Sequence, residues 1–194
     1  FDSGSTIGAL FGVDDYDYVD RRSVGFSLSN FLGERRRGQL RLETGFVDER
    51  DVTVNLVESP VGFGDPFRAN RPVREGSGWR NALIAEWRPD VSLEFLRTGV
   101  GARFSVERTE GDLASTRVEA RVTARANRGP FSFGARLDAG ATNADAPPQQ
   151  FFELGSNQNL PGYAYKEFAG NHAAVLRGIA LWRLPYLTAP VRFS

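Results

Sequence analysis

The 194-residue chain contains no cysteine and no methionine. Without cysteine there is no disulfide framework and no thiolate metal site. With Phe1 first and no methionine, the expectation is a mature chain or part of a longer one. Histidine occurs once, as His172, so a two-histidine metal site within the chain is excluded. Lysine also occurs once, as Lys166; every other basic side chain is arginine. Formal net charge is zero, which argues against nucleic acid as a partner. No run approaches the ~18 apolar residues that a spanning helix needs. The nucleophile elbow GxSxG, the zinc motif HExxH, the phosphate loop and the GxGxxG fingerprint are all missing, so no catalytic residue, cofactor or metal is assigned and the chain is not read as an enzyme.

What the sequence does contain is period-two alternation, the signature of β-strands. Val24, Phe26 and Leu28 alternate with serines and Gly25. Leu40, Leu42 and Phe46 alternate with Gln39, Arg41, Glu43 and Gly45, and Val52, Val54 and Leu56 follow. The runs at 100–106, 118–124 and 131–139 repeat the pattern, and segments near 79–87, 91–96 and 173–184 resemble it. A strand near 4–11 and one beginning at Pro190 complete the expected set. Turn signals at 33–34, 48–51, 88–90, 110–112 and 127–130 predict antiparallel hairpins. Two connections are long, 58–78 and 143–171.

The polar half of the alternation mixes both signs of charge. Arg103 with Glu107, Glu119 with Arg121, and Arg136 with Asp138 each share one strand face. A soluble β-sandwich would also alternate, with its polar face in water. The runs 98–107, 116–126 and 131–141 instead match the ~9–11 residues of a transmembrane barrel strand, apolar outward and polar inward. Aromatic residues gather at the run ends, including Tyr16, Tyr18, Trp79, Trp87, Trp182 and Tyr186, as an interfacial girdle requires. The expected fold is therefore all-β, an antiparallel transmembrane β-barrel spanning 1–194, with the six charges named above lining its lumen. Asp14, Asp15, Asp17 and Asp20 form an acidic turn, but their spacing misses an EF-hand loop.

The segment FFELGSNQNLPGYAYKEFAGN, 151–171, followed by LRGIALWRLPY, resembles the signature of the bacterial surface antigen superfamily of outer-membrane barrels, the BamA, TamA and FhaC type. Phe152, Leu154, Gly155, Leu160, Gly162, Tyr163, Phe168, Gly170 and Asn171 match its positions. Ser156 stands for the second glycine, and Pro161 stands where the family has arginine. The stretches FGVDDYDYVDRRSVGFSLS and FRANRPVREGSGWRN carry a weaker likeness.

The resemblance implies a piece of a larger barrel, about sixteen strands. It implies a location in the bacterial outer membrane, with membrane lipid as partner and other envelope proteins or client polypeptides as further ones. It also implies a loop at 143–171 that folds back into the lumen. Proline has no charge and no donor, so the loop's cation would be Lys166 or a lumen arginine, with Gly162 and Tyr163 packing to pin it. The implied role is protein insertion or translocation across the outer membrane. Two alternatives stand beside it: a membrane anchor for an N-terminal enzymatic or transport domain, which loss of the arginine favours, and a soluble β-sandwich binding module.

Overall fold

A computed structural model describes residues 17–33, 37–52, 70–87, 98–155, 160–164 and 166–183. Six long strands come first: β1 (Val19–Leu32), β2 (Gly38–Asp51), β3 (Gly76–Trp87), β4 (Gly99–Gly111), β5 (Ser115–Arg128) and β6 (Phe131–Thr142). A one-turn 3-10 helix (Pro148–Gln150) and two short strands, β7 (Phe152–Leu154) and β8 (Phe168–Gly170), interrupt the series before β9 (His172–Trp182). The long strands form one seven-stranded sheet in the order β1-β2-β3-β4-β5-β6-β9. Every pairing is antiparallel. The chain is thus all-β and largely a meander. Among the described residues β1 and β9 are its two margins, and no pairing joins them. The strands expected near 4–11, 91–96 and 190 lie outside the described residues.

Each long strand has 11 to 14 residues, against a usual ~5–6. The turn expected at 48–51 is instead the end of β2, paired residue for residue with 19–22 of β1. Its charges need no turn, because Asp48 bridges to Arg50 at 3.0 Å and Glu49 pairs with Arg21 across the ladder. The turns expected at 110–112 and 127–130 do connect β4 to β5 and β5 to β6. Gly129 adopts φ 59°, a left-handed turn conformation that glycine takes without a Cβ clash.

Register keeps like with like across the sheet. One face carries rows such as Leu42↔Leu83↔Val106↔Val118 and Val122↔Leu137↔Leu176. The other carries Glu43, Glu86, Arg103, Glu107, Arg121 and Asp138. The apolar face is the open one: Phe26, Leu28, Leu42, Phe104, Leu137 and Leu176 are all exposed. Burial falls on the other side. Val47, Ala82 and Ile84 are buried there with Glu49, Thr109, Ser115 and Thr142. Glu49, a carboxylate, is only 1% exposed. The layout inverts that of a water-soluble sheet, which covers its apolar face and wets its polar one.

The apolar band has two borders. Trp87, Phe131, Phe133 and Trp182 lie at one end, with Phe131 stacked on Phe133 at 6.2 Å and on Trp182 at 6.3 Å. At the other end, outward ion pairs join Asp20 to Arg22, Asp48 to Arg50 and Arg108 to Glu110, at 3.2, 3.0 and 3.1 Å. Just inside that border Trp79 Nε1 donates to Thr44 Oγ1 at 3.0 Å, and Thr44 Oγ1 donates to Asn81 Oδ1 at 2.7 Å. Trp79, Thr44 and Asn81 thus satisfy one another on the apolar face. No helix among the described residues is long and apolar enough to cross a membrane.

Candidate functional site: the charged face and its covering loop

Successive residues of a strand point to opposite faces, and neighbouring strands lie ~5 Å apart. Charges at alternate positions on six strands therefore meet across strands more readily than along one. Arg80 shows this. From the middle of the sheet it bonds Glu43 on β2 at 3.1 Å and Glu107 on β4 at 2.6 Å. Arg103 reaches Glu86 on β3 at 3.1 Å. Glu119 takes Arg117, two residues before it, at 2.6 Å. Arg121, Arg136 and Arg177 all converge on Asp138, at 2.5, 2.6 and 2.8 Å. Arg103, Glu107, Glu119, Arg121, Arg136 and Asp138 thus share one face. Of the same-strand pairs suggested by spacing, Arg136 with Asp138 is a direct ion pair; the other four charges are matched to Glu86, Arg80, Arg117 and Asp138.

The segment between β6 and β9 folds over this face. Its first half docks on the 70–75 stretch and on β2. Gln149 Nε2 donates to Glu49 Oε2 at 2.8 Å and to the Arg74 carbonyl at 2.9 Å, while its Oε1 accepts from the Arg74 amide at 3.1 Å. Arg74 Nη1 returns a bond to the Asp145 carbonyl at 2.9 Å. Next, the Phe152 ring settles on the sheet at Gly140, where a Cβ would run into it. Arg117 lies 4.2 Å above that ring and donates to the Gln150 carbonyl at 2.8 Å. Gly140 is the place where the backbone must be bare for the loop to sit down.

A four-charge knot fixes the second half. Lys166 Nζ lies 2.9 Å from Asp17 Oδ2 and 2.6 Å from Glu153 Oε2. Arg71 Nη1 donates to Glu153 Oε1 at 2.9 Å, its backbone amide donates to Asp17 Oδ1 at 3.1 Å, and Nη2 donates to the Lys166 carbonyl. Two cations and two carboxylates from three separate segments, at 17, 71 and 153–166, are thus joined. Burial works against the Lys166 ammonium, but hydrogen bonds to Glu153 and Asp17 outweigh it and hold its pKa above the ordinary value of 10.5.

The motif residues take varied places. Gly155 ends β7 at φ 138°, and a Cβ there would strike the Ala164 carbonyl. Leu160 accepts the Tyr163 amide at 3.4 Å across a turn holding Pro161 and Gly162, the latter at φ 94°. Tyr163 packs edge-on against Phe168 at 5.1 Å, and both rings are exposed. The loop is held to the face by Phe152, Gln149, Glu153 and Lys166, while a Cβ at Gly162 would meet nothing within 4 Å. Phe168 and Gly170 form β8 against β7. The Asn171 carbonyl accepts the Thr142 amide at 2.7 Å, and its Oδ1 lies 2.9 Å from His172 Nδ1 at the start of β9.

Sequence reasoning missed Arg71, Arg80, Arg117, Glu153 and Arg177. Arg80, Arg117 and Arg177 keep the same period-two phase as the charges that were identified, which is the signal that could have found them. Arg71 and Glu153 sit 82 residues apart in long connections, where no period applies. No group of three or more His, Asp or Glu side chains among the described residues is placed to hold a metal ion. No family model and no curated protein matches this chain.

Proposed function

We propose that this chain is part of an outer-membrane β-barrel of the surface antigen type, with its apolar face toward lipid and its charged face toward a wet lumen braced by the 143–171 loop. The single observation that carries the reading is the inverted burial: large apolar side chains stand exposed while Glu49 is buried beneath the loop. In water, such a face would be a severe aggregation liability. In hydrocarbon it costs nothing, and the charges gain a shared aqueous interior.

The band has a height near that required. Trp79 and Trp87 bound it on β3 and stand eight residues apart, roughly 26 Å along the strand at ~3.3 Å per residue. At the usual strand tilt of ~35–45° this spans roughly 20 Å of height, against the ~25 Å apolar band of a membrane barrel. In this reading the margins β1 and β9 are continued by further strands, because an unpaired sheet edge in lipid costs several kcal/mol per backbone group. The role is insertion or translocation of polypeptides, with a weakly closed strand seam offering backbone hydrogen bonds to an incoming strand. A second reading, an anchor for another domain, is favoured by Pro161. The motif's arginine position carries no charge, and the loop's pinning cations come from Lys166 and Arg71 instead.

The cysteine-free chain suits a direct test. Single cysteines at 135, 136, 137 and 138, each carrying a fluorophore, are reconstituted in lipid vesicles. Quenching by brominated lipid should be strong at 135 and 137 and weak at 136 and 138, with aqueous iodide giving the opposite order. Equal access of iodide to all four positions would refute the lipid-facing assignment.

A further inference from the structure

We infer that the charged face holds an oxyanion site, built by Arg121, Arg136 and Arg177 around Asp138, and that phosphate is the anion it fits. Asp138 accepts from Arg121 Nε at 2.5 Å, from Arg136 Nε at 2.6 Å and Nη2 at 3.0 Å, and from Arg177 Nη2 at 2.8 Å. Those four bonds fill the carboxylate, which has about four lone-pair sites, whereas each guanidinium carries five N–H donors. Three cations on one anion leave a net charge of +2.

The neighbouring charges do not cancel it, because they are already matched. Arg103 is paired with Glu86, Glu119 with Arg117, and Glu153 with both Arg71 and Lys166. The opposite half of the face is balanced: Arg41 and Arg80 meet Glu43 and Glu107, and Arg21 meets Glu49. Positive charge is therefore concentrated on β5, β6 and β9.

Space lies beside it. A cavity of about 520 Å³ is lined by Arg103, Glu119, Arg121, Arg136, Asp138 and Arg177, with Glu153 on the wall that β7 forms. The three arginine side chains around Asp138 are 47%, 37% and 36% exposed, so an anion can reach them. A dianion matches the +2 excess, and guanidinium forks suit phosphate oxygens. Asp138 then acts as a positioning residue, holding the three forks in one place. The site stands on the charge layout alone and holds whatever the apolar face meets.

The test titrates inorganic phosphate into the full folded chain at low salt, followed by phosphorus NMR and calorimetry, with acetate as a parallel arm. Saturable phosphate binding is expected, falling steeply as salt is raised. Loss of charge-assisted bonds in Arg177→Gln should weaken it about tenfold or more. Arg136→Lys and Arg177→Lys keep the charge and the fold but lose the fork, and should weaken it less. Arg50→Gln, on the opposite face, should leave it unchanged. Absence of saturable binding, equal affinity in the Arg177→Gln and Arg177→Lys variants and the parent chain, or acetate binding as tightly as phosphate would each overturn the assignment.

Discussion

Placing arginine at Leu137 tests what the apolar face meets. Leu137 lies mid-strand on β6, six residues from Phe131 and five from Thr142, in an outward row between Val122 and Leu176. It is 43% exposed, and Leu176 beside it is 75% exposed. If that row meets the middle of a bilayer, Leu137→Arg costs about 2–4 kcal/mol. Ala139→Arg, one outward position nearer the charged border, should cost less, and Ala141→Arg, beside His172, about 0–1 kcal/mol. If the row met water instead, a half-exposed leucine could become arginine within about 0.5 kcal/mol at every position. The polar-face control Ser105→Arg places a cation in register with Glu119 and should stay within about 1 kcal/mol. Urea unfolding in lipid vesicles, followed by the fluorescence of Trp79, Trp87 and Trp182, measures the series. A flat series, or a Leu137→Arg cost no larger than that of Ser105→Arg, refutes the reasoning.

Three further outcomes are expected. Arg80→Gln leaves Glu43 and Glu107 facing each other across β3 and should lower stability by roughly 1–2 kcal/mol after allowance for water access; the urea midpoint reads this, and Arg80→Lys should recover part of it. The Lys166 knot has a signed pH dependence. Its pKa is raised on folding, so its contribution is complete below the ordinary lysine value of 10.5 and fades as pH climbs past it. Protease cleavage of the loop should therefore rise at alkaline pH in the parent chain, and Lys166→Gln should cleave readily at neutral pH with no such rise; an unchanged alkaline profile in the variant counts against the knot. Gly155→Ala forces a side chain into φ 138° and toward the Ala164 carbonyl, costing about 1–3 kcal/mol locally. Circular dichroism should keep its strand signal while cleavage within 151–171 increases.

Sequence alone determined that this chain is a sheet with two unlike faces, because a strand sorts its side chains by parity. Val122 and Leu137 were readable as one phase, and Arg121, Arg136 and Asp138 as the other, without any coordinates. Which charge meets which was decided by tertiary structure. Arg103 and Glu107 share a strand face, but at ~3.3 Å per residue they are roughly 13 Å apart along it, while a residue across the ladder is ~5 Å away. Register therefore hands Arg103 to Glu86 and Glu107 to Arg80. The docking of the 143–171 loop on the charged face was expected only from the family resemblance, and its contacts were not readable in the sequence. It depends on Lys166 finding Asp17 across 149 residues and Gln149 finding Glu49 across 100, contacts that have no period and exist only once the sheet has formed.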